Sequence, residues 1–427
     1  MKYTMTTLGC KVNQYETQAM DTILRAHGHT PVKSGEADAV IINTCAVTAE
    51  SGRKSRQAVR RLKGENPNAV VAVCGCFSQV SPEEAASLGA DVLFGSGDRR
   101  GFIAAVEKAA AEHAGCVSIK DISRERTFED LPAGALSGRT RAYLKIQDGC
   151  DNFCTYCIIP YARGRVRSLP ETNAAQLAAD LEKDGFRELV ITGIEIASYG
   201  KDLNDGSDLT SCIEAIASAT DDVRLHLGSL EPRVVTEDFC ARLAGLGRVD
   251  RHFHLSLQSG CDATLKAMGR RYDTARFYES VKLLRKYFPG CGITADVIVG
   301  FPGETAADHL ASVEFIKKCG FSAVHVFPYS ERPGTKAAAM DGRHTRSEKA
   351  ARAAEAQQAA NECQARYLES CVGQILPVLF ETYKDGAAIG HADNYCQVCV
   401  PGARRRGLVQ NVQITCVCDK MLVGKVV

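Results

Sequence analysis

Short apolar runs separated by amphipathic stretches fill the first hundred residues. Lys2–Leu8, Ala39–Asn43, Ala69–Val73 and Val92–Phe94 read as buried strands. Glu16–Ala26, Glu50–Lys63, Pro82–Leu88 and Asp98–Glu112 carry the spacing of helices. This alternation predicts an α/β domain with a doubly wound parallel sheet and right-handed crossovers. The polar segment Asp121–Arg141, containing Leu131-Pro132-Ala133-Gly134, reads as a linker. A second series of strands follows at Tyr143–Gln147, Glu188–Thr192, Val223–Leu227, His252–Leu257, Ile293–Val299 and Ala323–Phe327, with helices such as Thr172–Asp184, Phe277–Phe288 and Ala306–Lys318 between them. Six such units predict a partial (β/α)6 barrel, short of the eight in a complete one. Ser347–Ser370 reads as a long closing helix. Cys371–Val427 switches to alternating strands broken by Gly and Asn, the pattern of a small C-terminal β-barrel. The expected organisation is thus an N-terminal domain over 1–115, a linker over 116–138, a barrel over 139–369 and a module over 370–427.

Composition narrows the class. Of 427 residues, 45% are hydrophobic and 24% charged, which excludes collagen-like and disordered chains. No apolar run approaches the ~18 residues of a membrane span. Met1-Lys2-Tyr3-Thr4 opens without the apolar stretch of a signal peptide, so a cytoplasmic location and no membrane partner are expected. Lys and Arg number 52 against 51 Asp and Glu, a net charge of +1, so any nucleic-acid contact must come from local patches. The 19 cysteines are too many for chance and too dispersed for a small disulfide scaffold. Metal sites, catalytic thiolates or free thiols remain.

Cys150-Asp-Asn-Phe-Cys154-Thr-Tyr-Cys157 is a C-x3-C-x2-C loop directly after the first predicted barrel strand. Three thiolates at this spacing can wrap one face of an iron–sulfur cube and leave one iron without a protein ligand. Zinc would need a fourth ligand nearby, and no Cys or His follows until Cys212. The loop also lies at a strand's C-terminal end, where barrels place their chemistry. A looser trio occupies the first domain. Cys10 ends the first strand, Cys45 follows the second, and Cys74 and Cys76 follow the third. Open parallel sheets gather ligands at the carboxyl ends of their strands. That geometry does not choose between Cys74 and Cys76.

The run from Gly149 to Gly164, Gly-Cys-Asp-Asn-Phe-Cys-Thr-Tyr-Cys-Ile-Ile-Pro-Tyr-Ala-Arg-Gly, resembles the radical S-adenosylmethionine (SAM) superfamily in its methylthiotransferase version. Gly9-Cys10-Lys11-Val12-Asn13-Gln14, Asn43-Thr44-Cys45 and Gly75-Cys76-Phe77-Ser78-Gln79 are similar to the N-terminal domain of that family. The resemblance implies two 4Fe-4S clusters, one on Cys150, Cys154 and Cys157 and an auxiliary one on Cys10, Cys45 and Cys76. It implies SAM as the second cofactor. It also implies radical chemistry that removes hydrogen from an adenine C2 and replaces it with a methylthio group. Thr192-Gly193-Ile194, Leu230-Glu231-Pro232, His254–Gly260 and Asp296–Glu304 match further barrel motifs, which makes Gly193, Glu231, Ser256, Gln258 and Gly300 candidates for SAM contact. Glu195 stands where the resemblance leads one to expect His. The stretches Gly9–Thr17 and Tyr161–Ser168 look most like the branch acting on N6-threonylcarbamoyladenosine at position 37 of tRNA. The isopentenyladenosine branch more usually has Gln-Met at Lys11-Val12.

The C-terminal module resembles TRAM, a small tRNA-binding barrel, and Arg404, Arg405 and Arg406 suit phosphate contact in one of its loops. Arg163, Arg165 and Arg167 form a second basic run and Arg53–Lys63 a third, so a track for a tRNA anticodon stem-loop is expected. Cys396, Cys399, Cys416 and Cys418 read as small core hydrophobes rather than a zinc site, and Cys212, Cys240, Cys261, Cys291, Cys319 and Cys363 read likewise. Radical chemistry also requires a low-potential electron donor such as flavodoxin or ferredoxin. Other readings are the isopentenyladenosine or ribosomal-protein branch, or an iron–sulfur scaffold that binds RNA without catalysis. The sequence does not set the oligomeric state.

Overall fold

The structure is a computed structural model and describes residues 1–132, 140–403 and 406–427. Its first unit is a six-stranded, wholly parallel sheet. The strands are β1 (Lys2–Thr7), β2 (Thr30–Pro31), β3 (Ala39–Thr44), β4 (Val70–Gly75), β5 (Val92–Phe94) and β6 (Cys116–Ser118), in the order β2-β1-β3-β4-β5-β6. β3 and β4 are buried on both faces, as their unbroken apolar runs require. Helices Lys11–Ala26 and Arg99–Glu112 cover one face over Tyr3, Ile41 and Ala72. Helix Ala49–Glu65 covers the other over Val40, Ile42 and Val73. The order reverses between β1 and β3, so the sheet has a topological switch point there.

One boundary differs from the sequence pattern. Cys116–Ser118, expected in the linker, pairs with β5 as the sixth strand because its register continues the sheet edge. The linker is also strapped down. Leu131 is buried and its carbonyl accepts the Tyr15 hydroxyl at 2.9 Å, while Phe128 lies under the Lys145 ammonium at 5.2 Å.

The second unit is an open barrel. β7 (Arg141–Lys145) leads into a short antiparallel pair, β8 (Gln147–Asp148) and β9 (Arg167–Ser168), and is followed by β10 (Glu188–Thr192), β11 (Arg224–Leu227), β12 (Ser229–Leu230), β13 (His252–Gln258), β14 (Gly292–Val299) and β15 (Ala323–Pro328). β7, β10 and β11 pair in parallel, as do β12 through β15, which gives the predicted six-unit partial barrel. Its core joins Leu144, Leu189, Leu225, Phe253, Ile293 and their covering helices. Helix Arg346–Ser370 closes this unit under a Thr345 capping box. The third unit is a closed five-stranded barrel, β16 (Ile375–Lys384), β17 (Ala387–Ala392), β18 (Gln397–Pro401), β19 (Val409–Cys418) and β20 (Met421–Val426), around Val378, Phe380, Val398, Val412 and Leu422. Among the described residues no helix is long and apolar enough to cross a membrane.

Candidate active site

Three strand ends deliver the first cysteine trio. Cys10 follows β1 and Cys45 follows β3, the two strands of the switch point, and Cys76 starts the helix Cys76–Val80 after β4. Gly9 and Gly75 precede two of them at φ +106°, in the region open to glycine. A Cβ at Gly9 would stand 2.8 Å from Cys45 Sγ, and one at Gly75 would stand 2.5 Å from the Thr44 carbonyl. Both glycines are therefore what lets the loops close together. Asn13 ties them by donating from Nδ2 to the carbonyls of Leu8 and Thr44 at 2.7 and 3.0 Å.

Cys74 and Cys76 separate cleanly. Cys74 sits at the end of β4, fully buried in the apolar layer with Ile41 and Ala72. Cys76 is buried on the other face of the sheet with Val73 and Phe77, and receives a hydrogen bond from Arg163 Nε at 3.3 Å. Burial pushes all four thiols upward, Cys74 to about 11, and the thiols of Cys10, Cys45 and Cys76 raise one another as neighbours.

Arg163 is thus not the surface contact expected from its place in a basic run. It is fully buried. Its guanidinium binds both carboxylate oxygens of Glu16, lies 3.5 Å from Asp148 and donates to Asn13 Oδ1. Glu16 also takes Arg99 Nη2 at 2.9 Å and Lys145 Nζ at 3.4 Å. Asp148 takes Lys145 at 2.6 Å and Arg167 at 3.6 Å. Burial alone would raise the Glu16 carboxyl, but Arg163, Arg99 and Lys145 hold it well below the usual carboxylate range. This network joins the first domain to the barrel's β7 edge.

The second trio follows Asp148 of that network in the chain. Cys150, Cys154 and Cys157 occupy the loop after β8, pinned by Thr155, whose N–H and hydroxyl donate to the carbonyls of Met268 and Ala267 at 2.9 Å each. Arg270 Nη1 donates to Cys154 Sγ at 3.2 Å, and its guanidinium stacks over Tyr272. Each trio therefore has one arginine aimed at one sulfur, Arg163 fully buried and Arg270 half-buried. Burial pushes the Cys150 and Cys157 thiols up to about 12.

Comparison with known proteins bears on this arrangement. Residues 2–95 match a family model described as "Uncharacterized protein family UPF0004", and residues 144–316 match the radical SAM superfamily. A threonylcarbamoyladenosine tRNA methylthiotransferase of Bacillus subtilis is 37% identical over 410 residues, covering 93% of this chain and 89% of that protein. Its namesake in Thermotoga maritima is 36% identical over 390 residues, covering 91% and 88%. The chain belongs to the radical SAM methylthiotransferase family. A tRNA-2-methylthio-N(6)-dimethylallyladenosine synthase of Oleidesulfovibrio alaskensis is 34% identical over 392 residues, covering 90% and 84%. Among solved structures, the radical SAM methyltransferase TsrM from Kitasatospora setae shares the fold, with a TM-score of 0.57 at 14% identity over 76% of this chain and 72% of that one.

The methylthiotransferase uses SAM and 4Fe-4S clusters. The donor sets fit them. Two buried carboxylates, Glu16 and Asp148, face four buried cations, Arg99, Lys145, Arg163 and Arg167. An uncompensated buried charge is costly. An anionic, thiolate-ligated group on Cys10, Cys45 and Cys76 would balance the excess, and the Arg163 N–H already points at one of those sulfurs. Because the thiols of Cys10, Cys45, Cys76, Cys150 and Cys157 are pushed upward, loading either site would release protons. Among the described residues, one trio is tight enough to share a single ion, Glu188, His226 and Asp250. Arg141 and Arg224 already hold those two carboxylates, so it reads as an ion-pair network.

The SAM candidates all lie at the carboxyl ends of barrel strands. Gly193 leaves no room for a Cβ, which would stand 2.9 Å from Gln147 Oε1. That amide oxygen accepts the Glu195 N–H at 2.8 Å, while Asn152 of the cluster loop donates to the Glu195 carboxylate at 3.3 Å. Burial raises the Glu195 carboxyl to about 7. Glu231 is buried and holds Arg233 Nε at 2.9 Å. Ser256 and Gln258 share a half-buried face of β13, with Gln258 at φ +66° beside a register shift. At Gly300, Lys349 packs where a Cβ would be, and the Gly300 N–H donates to Glu304 at 3.1 Å.

Arg165 remains on the surface, paired with Asp151 at 3.1 Å and stacked over Phe153. Arg406 is exposed and donates to the Glu381 carbonyl at 3.0 Å, whereas Arg404 and Arg405 lie outside the described residues. Cys416 and Cys418 are exposed and not the core thiols expected, because they fall on the outward side of β19. Cys396 is buried beside Val398 and Val400, as its strand alternation predicts. Sequence reasoning missed Arg270, Glu16, Arg99, Lys145 and Asp148. Lys145 was a charge inside an apolar run, which is a readable signal, but Glu16 lay among polar residues and Arg270 followed a plain glycine turn, and neither carried one.

Proposed function

We propose that the chain methylthiolates C2 of N6-threonylcarbamoyladenosine at position 37 of tRNA, beside the anticodon. The observation that carries this reading is the pair of cysteine trios, each with an arginine donating to one of its sulfurs, on a chain whose relatives named above carry that name. When bound, SAM and the two clusters supply radical hydrogen abstraction and sulfur transfer. Cys150, Cys154 and Cys157 hold one cluster, and Cys10, Cys45 and Cys76 hold the auxiliary one. The protein's own part is to fix both centres against one base and to exclude water. The Glu16–Arg163–Asp148 network sets the first domain against the barrel, so it fixes the separation of the two trios. Gly193, Glu231, Ser256, Gln258 and Gly300 shape the SAM side of the mouth. An anticodon loop presents single-stranded bases that unstack cheaply into such a mouth. The C-terminal barrel, over 370–427, acts as the tRNA-binding module with Arg404, Arg405 and Arg406, and Arg165 contributes beside the cluster loop. A flavodoxin or ferredoxin supplies electrons. The test is methylthiolation of threonylcarbamoyl-tRNA and isopentenyl-tRNA side by side with Cys76→Ala as control. Product on the first substrate alone, abolished in the variant, is expected. Preference for isopentenyl-tRNA would overturn the acceptor, and a fully active variant would overturn the ligand assignment.

A further inference from the structure

The barrel lumen holds a cavity of about 690 Å³, in the range of small-ligand sites. Its walls mix apolar residues such as Leu227 and Leu368 with many polar side chains, whereas the interior of a complete eight-unit barrel is packed with branched apolar ones. Alternate positions of β13 and β14 bring His252, His254, Thr294 and Asp296 together in its wall. The C-terminal barrel caps one side through a run of stacked rings: His391 on Tyr395 at 4.9 Å, Tyr395 on His252 at 4.7 Å, and His252 on His226 at 5.0 Å.

Two groups in this cavity lack partners. His252 is 5% exposed and donates or accepts through Nε2 with Thr294 Oγ1 at 3.0 Å, but its Nδ1 has no partner. Lys11 lines the cavity half-buried, and among the described residues its ammonium makes neither a hydrogen bond nor an ion pair. The nearby acids are already committed. Asp296 is held by His254 Nε2 at 3.3 Å, and Glu188 is clamped by Arg141 at 2.8 Å and by Arg224. An unpartnered cation lining the cavity and an unsatisfied, buried ring nitrogen in its wall, with the adjacent carboxylates engaged, describe a site for a small anion with hydrogen-bonding groups. Lys11 directly follows Cys10, so the free cation stands one residue from the auxiliary trio.

We propose that this cavity receives the amino-acid arm of the acceptor base, with Lys11 Nζ pairing its carboxylate and His252 Nδ1 meeting its hydroxyl or carbamoyl group. The inference rests on the acceptor reading above and names Lys11 as its specificity determinant. A site built around a buried charge discriminates strongly against an analogue that lacks the matching group, since the charge is then left unpaired.

The experiment uses full-length, anaerobically reconstituted protein and three anticodon stem-loops. One carries threonylcarbamoyladenosine, one its carboxyl methyl ester and one isopentenyladenosine. Wild type is expected to bind the free acid about tenfold or more tightly than the ester. In Lys11→Gln that preference should vanish, with KM for the acid raised more than kcat is lowered and with iron content unchanged. Lys11→Arg should restore most of it. If wild type accepts the threonylcarbamoyl loop yet binds acid and ester equally, the inference falls while the acceptor reading stands. If wild type prefers the isopentenyl loop, both fall. The acid–ester comparison on wild type decides the matter even if a Lys11 variant loses its iron.

Discussion

Replacing Arg163 with Met separates a structural role from an RNA-binding one. The guanidinium is fully buried and engages Glu16, Asp148, Asn13 and Cys76, whereas Met leaves the stem volume and removes every polar contact. Removing one partner of a buried ion pair typically costs about 3–5 kcal/mol. Glu16 keeps Arg99 and Lys145, and Asp148 keeps Lys145 and Arg167, so the lower end applies. A loss of about 3 kcal/mol is expected, a large share of the ~5–15 kcal/mol that holds a typical domain. The assay is urea unfolding of the iron-free protein, monitored by far-UV circular dichroism, on wild type, Arg163→Met and Arg163→Lys. Lys should recover only part of the loss, because one ammonium cannot span Glu16 and Cys76 as the guanidinium fork does. After reconstitution, Arg163→Met should also hold less iron. A stability change below about 1 kcal/mol with normal iron but weakened tRNA binding would refute the buried-network reasoning. It would return Arg163 to the surface role its sequence context implies.

Iron analysis of anaerobically reconstituted protein should give about eight irons per chain in wild type and about four in Cys76→Ala, while Cys74→Ala should keep about eight; equal losses in the two variants would mean that the strand-end assignment is wrong. Gly75→Ala should destabilise the first domain by roughly 1–3 kcal/mol through its left-handed backbone alone, plus the clash with the Thr44 carbonyl, read as a lower urea midpoint. An unchanged midpoint would contradict this. Glu16 has a depressed folded pKa, so its contribution to stability is complete above about pH 4.5 and is lost as pH falls through that depressed value. Glu16→Gln should therefore be less stable at pH 7 and show a shallower decline under acid, and matched acid slopes would count against the network.

The parallel sheet, the six-unit barrel and the small β-barrel were legible because each rests on local periodicity. The run from Val92 to Phe94 and that from Glu188 to Thr192 coincide with the strands β5 and β10. Cys116–Ser118 was not legible, since three residues carry no periodicity and their pairing with β5 comes from the sheet edge alone. The cluster loop could be read because its three cysteines span eight residues, so spacing in sequence constrains spacing in space. By itself, the sequence determined the residue types at the strand ends and hence the class of chemistry. What each of the two neighbouring thiols touches was decided by folding. Cys74 and Cys76 differ by two positions, but strand β4 ends between them and sends one into the apolar layer and the other toward Arg163. Arg163 itself lies 147 residues from Glu16, and a charge at that separation reads as solvated until tertiary packing removes the water around it. The fold alone settles such pairings, because burial, not sequence, turns a surface cation into the centre of an ion network.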